Sequence, residues 1–375
     1  INSSCSSDKS IYINSTGKDD YISKVNQTAD WQINNFKYSL EGGPGYLHDY
    51  GIDAWTNSTF LLGLSVWANT IANDNPSKAT EYTKWLEHIA ETNEWRIPDN
   101  FKAYPNYSLY HADELCIAQF YLKMYHLKDE NRRIKATKER LDWIIDNQPD
   151  HTMTYRNKQS WTWCDALFMA PMAYVELYNI YGDRKYIDFM HEEFQKTVNH
   201  LYNKEYKLFY RDSSYFEKLE SNGKPVFWGR GNGWVAAALT NILKSLPKKS
   251  LYYNYYLDLY KEFVPTLIEL MDAEGYWHAS LLDPISYPSP ETSASALITY
   301  ALAYGINENI LDKKHYLPKL EKSWTTLQSF VDADGKLGWI QPIGADPKQV
   351  TKEMSSVYGV GAYLLAASEI IKLRS

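Results

Sequence analysis

The chain has 375 residues, 44% of them hydrophobic, and its 39 Lys and Arg against 46 Asp and Glu leave a net charge of −7. That is ample for a large core, and the acidic balance argues against a nucleic-acid surface. No apolar run reaches the ~18 residues of a membrane span. Aromatics are abundant, with 13 Trp, 32 Tyr and 12 Phe. Tyr and Trp suit surfaces that are apolar on one side and wet on the other, as a sugar-binding cleft is. A Tyr-rich core would explain the same composition.

The N-terminal stretch 1–18 is polar and reads as a disordered tail or linker before one domain, 19–375. Cys5, followed by Ser6, Ser7 and Asp8, suggests the lipidated residue of an exported, periplasmic lipoprotein, although the residues before it fit the usual lipobox poorly. Cys5, Cys116 and Cys164 make no disulfide framework and have no zinc-ligand spacing. Neither a metal nor a cofactor is expected.

The helical period dominates the rest. It predicts helices over 20–36, 56–70, 77–92, 112–126, 131–147, 166–181, 185–200, 232–246, 252–271, 292–304, 314–330 and 356–373. Short strands are expected near 208–210 and 275–278. Every second helix begins at a marked residue: Asp53 with Trp55, His111 with Asp113, Asp165, Arg230, Glu291 and Val357. These recur at intervals of about sixty residues, the size of a helical-hairpin repeat. The helices they open contain runs such as Val235–Leu239 and Val360–Ala367, apolar or small on more than one face, as buried helices are. Their partners, such as 131–147, carry charge on one face. Six inner and six outer helices predict an all-α fold, a closed (α/α)6 barrel, with an open solenoid as the alternative. In the barrel the marked residues converge on one mouth, fed by long loops at 97–110 and 218–227.

The stretch 161–171, WTWCDALFMAP, carries the main chemical signal. Asp165 stands where a helix begins, so it either caps that helix or serves as a general acid. Trp161, Trp163 and Met169 give it an apolar setting, which raises a carboxyl pKa by desolvation.

Together with FWGRGNGWV (227–235), PETSASA (290–296) and YGVGAYLLAASE (358–369), this stretch resembles glycoside hydrolase family 105. Those enzymes are the unsaturated rhamnogalacturonyl hydrolases, relatives of the unsaturated glucuronyl hydrolases of family 88. The resemblance runs from about Asp53 to the C-terminus and implies the same barrel. It implies removal of a 4,5-unsaturated uronic acid from oligosaccharides that an upstream polysaccharide lyase has made. The double bond is hydrated rather than the anomeric carbon attacked. By resemblance Asp165 is the acid/base, and Asp113 is its second carboxylate, raising the pKa of Asp165 if close.

Arg230 is expected to clamp the uronate with its planar fork, or else to form a structural ion pair. Trp228 is a stacking platform or a core residue; His111 touches the sugar or is a satisfied buried histidine. Trp161, Trp163, Trp234 and Met169 are taken as further substrate contacts. Glu291 reads as a cap. Many family members carry a histidine where this chain has Arg211. An extra cation there points toward a more anionic ligand, such as ulvan fragments with sulfated rhamnose, or arabinogalactan side chains. Arg211 would then reach the second sugar, or pair with Asp212 or Glu217. The competing readings are an epimerase or lyase on the same barrel and a non-catalytic glycan-binding lipoprotein.

Overall fold

Residues 15–38, 51–98 and 109–374 are described by a computed structural model. Cys5 lies outside them, as do most of the 97–110 loop and the tail to residue 14. The first helix, α1 (Ser15–Asn34), begins inside the stretch read as a linker.

Six helices form an inner ring: α2 (Trp55–Thr70), α4 (Cys116–Leu127), α7 (Pro171–Tyr181), α9 (Gly229–Ser245), α11 (Thr292–Asn307) and α13 (Val357–Ile370). Their apolar-all-round sequences are buried accordingly; in α11 every residue from Thr292 to Ile306 is buried. Six more lie outside: α1, α3 (Pro76–Thr92), α5 (Lys135–Asp146), α8 (Lys185–Leu201), α10 (Tyr253–Glu269) and α12 (Lys313–Ser329). These bury one face only. In α3 that face is Ala79, Tyr82, Leu86, Ile89 and Ala90, at helical spacing. Asn75 starts α3 by accepting a hydrogen bond from Lys78 N (3.2 Å), and Pro76 occupies the first turn, where a missing N–H costs nothing.

Around the ring α2 packs on α4, α4 on α7, α7 on α9, α9 on α11 and α11 on α13. Helix α13 then packs back on α2, so the toroid closes and the solenoid alternative falls. The closure depends on glycine. A Cβ at Gly63 would meet the backbone of Gly361, and one at Gly361 would meet the Thr59 carbonyl.

Three sequence expectations change. The helix expected over 166–181 is broken into a single turn, α6 (Ala166–Met169), and α7. Pro171 causes the break, having no N–H to continue the first segment. The strand expected near 208–210 is a two-residue piece, β2 (Leu208–Phe209), paired antiparallel with β1 (Tyr202–Asn203). No strand forms at 275–278. Gly275 turns there with φ +92°, and Trp277 N donates to Ser295 Oγ (2.9 Å). Among the described residues no helix is long and apolar enough to cross a membrane.

Candidate active site

The N-termini of the inner helices share one end, and the motif residues assemble there through a chain of specific bonds. Asn232, in the first turns of α9, clamps the hairpin. Its Oδ1 accepts from Phe209 N (2.8 Å) and its Nδ2 donates to Phe209 O (3.0 Å). That fixes the strand leading into Arg211 and Asp212. Cys164 N then donates to Arg211 O (2.8 Å), and Trp163 bridges Asp212 in antiparallel fashion. The turn holding Asp165 is thereby tied to α9. Gly231 lets it approach closely, since a Cβ there would stand 3.0 Å from Cys164 Sγ.

Asp165 is 8% exposed and adopts a helical backbone, but its side chain makes no capping bond. The capping reading therefore does not account for its carboxyl. Its one hydrogen-bond partner among the described residues is Cys164, whose Sγ donates to Oδ1 at 3.3 Å. Burial first, and then the Asp165 charge, push the Cys164 thiol well up, so it remains a protonated donor.

The setting is less apolar than the sequence suggested. Arg211 and Lys158 both interact electrostatically with Asp165. Arg211 Nη1 also donates to Asp212 Oδ2 (2.6 Å). Burial works against the charge of Arg211, and Asp165 and Asp212 outweigh it. Burial likewise works against the Asp212 carboxylate, and Ser214 and Arg211 hold it below its ordinary range. Asp113 occupies a 3-10 turn (Ala112–Leu115) ahead of α4, where His111 Nδ1 accepts from its backbone N–H (3.3 Å). Asp113, Asp212 and Asp165 all favour the charged form of Lys158, so both proposed carboxyls act on the same ammonium.

The remaining sequence-assigned residues divide sharply. Arg230 is 1% exposed, with Nη1 donating to the carbonyls of Gln341 (2.8 Å) and Pro342 (3.0 Å) and to the Tyr358 hydroxyl. Its guanidinium lies over the rings of Trp228 (4.3 Å) and Tyr358 (4.9 Å). Its fork braces the 341–344 loop, and its hydrogen-bond partners are carbonyls and a hydroxyl rather than an anion. Trp228 is no open platform: it is buried, covered by Arg230, and its Nε1 donates to Gln341 Oε1 (3.0 Å). Trp161 packs against Tyr174 and Phe189, and Met169 is a buried residue of α6. Trp234 is buried among Trp55, Phe168 and Tyr358.

Trp163 is buried with His111 on it (ring centroids 5.0 Å apart) and the Lys158 ammonium 4.6 Å from its ring centre. Glu291 caps α11, accepting from Ala294 N (2.7 Å) and Gln341 N (3.1 Å). Trp55, at the start of α2, is partly exposed and packs against Trp234 and Tyr358. Lys158, Gln341 and Tyr358 were not found from sequence, whereas Asp212 was named there as a partner for Arg211 and is one. For Lys158 no periodic signal exists, because it lies in an irregular polar loop.

A cavity of about 630 Å³ opens at the other end of the ring, lined by Lys123, Glu176, Lys244 and Tyr300 among others. Several of its charges are already paired, Lys244 with Glu369 and His126 with Glu176, and none of the sequence-assigned site residues lines it.

A closed ring of helical hairpins with carboxyls and cations gathered at one mouth is the scaffold of a toroidal glycosidase. The chain belongs to Glycosyl Hydrolase Family 88, whose sequence model matches residues 21–374. It is 35% identical over 364 residues to an unsaturated 3S-rhamnoglycuronyl hydrolase of Alteromonas sp. (strain LOR), covering 92% of this chain and 84% of that one. A solved family 88 glycosyl hydrolase from Bacteroides vulgatus is 29% identical with a TM-score of 0.81, covering 96% of this chain and all of the other. A structure described as a polysaccharide lyase is 31% identical, with a TM-score of 0.80 and coverage of 96% and 97%.

Proposed function

We propose that this glycosidase removes a 4,5-unsaturated uronic acid from the non-reducing end of lyase-generated oligosaccharides, and that the next sugar is a sulfated rhamnose. The observation that carries the chemistry is Asp165: a carboxyl at the start of an inner helix that caps nothing. The name of the Alteromonas relative supports the choice of neighbouring sugar.

In this mechanism Asp165 gives its proton to C4 as the C4–C5 π electrons form the new C–H bond, leaving an oxocarbenium ion at C5. Water adds at C5 and returns a proton to the Asp165 carboxylate, so one group serves as acid and then base. The hemiketal opens to a C5 ketone, the ring oxygen becomes a hydroxyl on C1, and the C1 hemiacetal releases the aglycone. Asp113 helps orient the sugar from the adjoining 3-10 turn. Export, with Cys5 as a lipid anchor, is proposed from sequence alone, and membrane fractionation tests it.

The test is a panel of lyase-generated oligosaccharides, sulfated and unsulfated, followed by loss of the ultraviolet absorbance of the conjugated double bond. In isotopically labelled water the product should carry solvent oxygen at C5, with back-exchange of the ketone controlled. Label at the anomeric carbon alone would refute hydration. The second reading, a polysaccharide lyase, is favoured by the description of one solved relative. A lyase creates that absorbance from intact polymer, so the same spectrometer separates the two.

A further inference from the structure

Arg230 and Arg211 were the cations that sequence put forward at the mouth, and both already have protein partners. Arg230 spends Nη1 on carbonyls and on Tyr358. Arg211 is held by Asp212. Lys158 is different. No hydrogen bond or ion pair engages its ammonium among the described residues, and its close neighbour is the face of Trp163.

The loop that carries Lys158 is tied down at several points. Asn157 Nδ2 donates to the carbonyls of Asp150 (2.8 Å) and Thr152 (2.6 Å). Gln159 Oε1 accepts from Asp150 N (2.8 Å), and Thr162 Oγ1 donates to Asn157 O (2.8 Å). The ammonium is therefore presented from a fixed base, partly exposed, over an aromatic ring.

We propose that Lys158 is the residue that binds the carboxylate of the terminal unsaturated uronate and so selects for an acidic sugar. The proposal rests on the substrate reading above. Position decides which anion it takes. Lys158 lies over Trp163, two residues before Asp165, and the charges of Asp165 and Asp113 both act on it, so it stands beside the reacting sugar. On that sugar the carboxylate is bonded to C5, next to the carbon that receives the proton.

The electrostatics agree. Burial, and then the neighbouring Arg211, pull the Lys158 ammonium down to about 8, while Asp113, Asp212 and Asp165 oppose the fall. A partly buried cation beside another cation is relieved by an incoming anion. Below pH 8 the ammonium is present to bind it, and above that it is lost.

The test compares wild type, Lys158→Met and Lys158→Arg on an unsaturated uronyl oligosaccharide and on its uronamide, which keeps the double bond and loses the charge. Lys158→Met should raise KM for the acid about 10- to 100-fold, the worth of a hydrogen bond to a charged group. Its kcat should change only a few-fold, and its KM for the amide should match wild type. Lys158→Arg should largely restore KM for the acid and abolish the rise in wild-type KM above pH 8. An unchanged KM for the acid in Lys158→Met, or equal losses on acid and amide, overturns the proposal. If wild type turns over neither compound, the substrate reading has failed. Calorimetric binding of the acid to wild type and Lys158→Met then still decides the role of Lys158.

Discussion

Replacing Asp165 by Asn removes the proton donor while changing almost nothing else around it. The amide has the same shape, and Cys164 Sγ can still donate to the remaining oxygen, as it does to Oδ1 at 3.3 Å. Arg211 is not stranded, because Asp212 Oδ2 stays 2.6 Å from its Nη1. The fold should therefore lose no more than about 1 kcal/mol, the range of substitutions that break no buried network. Activity should collapse. A general acid–base group is worth roughly 10²–10⁴-fold, or about 2.7–5.4 kcal/mol of barrier at 1.36 kcal/mol per tenfold. A second effect follows from the charge removed. Lys158 loses one of the three carboxylates that favour its ammonium, so the pH at which KM begins to rise should move downward. The assay is loss of double-bond absorbance across a pH series, with a thermal melt as the control for folding. A kcat/KM within tenfold of wild type, in a variant that melts normally, would remove Asp165 from the chemistry.

The ring closure and the far end of the barrel give two further tests. Gly63→Ala drives a Cβ into the backbone of Gly361, and overpacking of that kind costs about 1–3 kcal/mol; an unchanged melting temperature would mean that α2 and α13 separate without penalty. Glu369 is buried, bound by Lys244, by Lys372 (2.8 Å) and by Asn307 Nδ2 (2.9 Å). Burial raises its pKa, but the lysines outweigh that and the carboxyl is held below the ordinary range. A depressed folded pKa means stability that is fully present above the unfolded value near 4.3 and lost as pH falls through the folded one. Glu369→Gln should thus cost about 1–3 kcal/mol at neutral pH, with the gap to wild type narrowing near pH 3 in urea unfolding; an equal gap at both pH values would refute the pairing.

How much of this was legible depended on how local each signal was. Helix α11 could be read because nearly all its residues are apolar or small, a pattern only a buried helix tolerates. The hairpin repeat likewise follows from spacing. Closure was harder, because it depends on Gly63 and Gly361, almost three hundred residues apart in sequence, meeting backbone to backbone. At the site, Asp165 was found through its own neighbours. Lys158 was not, because a lysine in a polar loop has no pattern until the loop folds over Trp163. The tryptophans are placed by energetics. Large rings gain much from burial, so Trp161, Trp228 and Trp234 are buried, while Trp55 is partly exposed.

Arg211 shows how a single departure redistributes the work at the mouth. Sequence reading offered it as a hook for a second sugar or as an ion-pair partner of Asp212 or Glu217; its Nη1 is on Asp212, and Asp212 Oδ1 is in turn held by Ser214 N (2.8 Å). Its remaining influence falls on Asp165. A histidine in that place, as the resembling family carries, would change charge between about pH 5 and 8. Arginine holds its charge throughout. The field that Arg211 exerts on Asp165 is therefore constant over the working range, and Asp212 is needed to balance it in a buried setting. The pH sensitivity that a histidine would supply passes to Lys158, which acts on the same carboxyl and is lowered to about 8 partly by Arg211 itself. The arginine and the lysine thus act as a pair: one fixes the charge beside the acid, and the other presents a charge that an anionic substrate can claim.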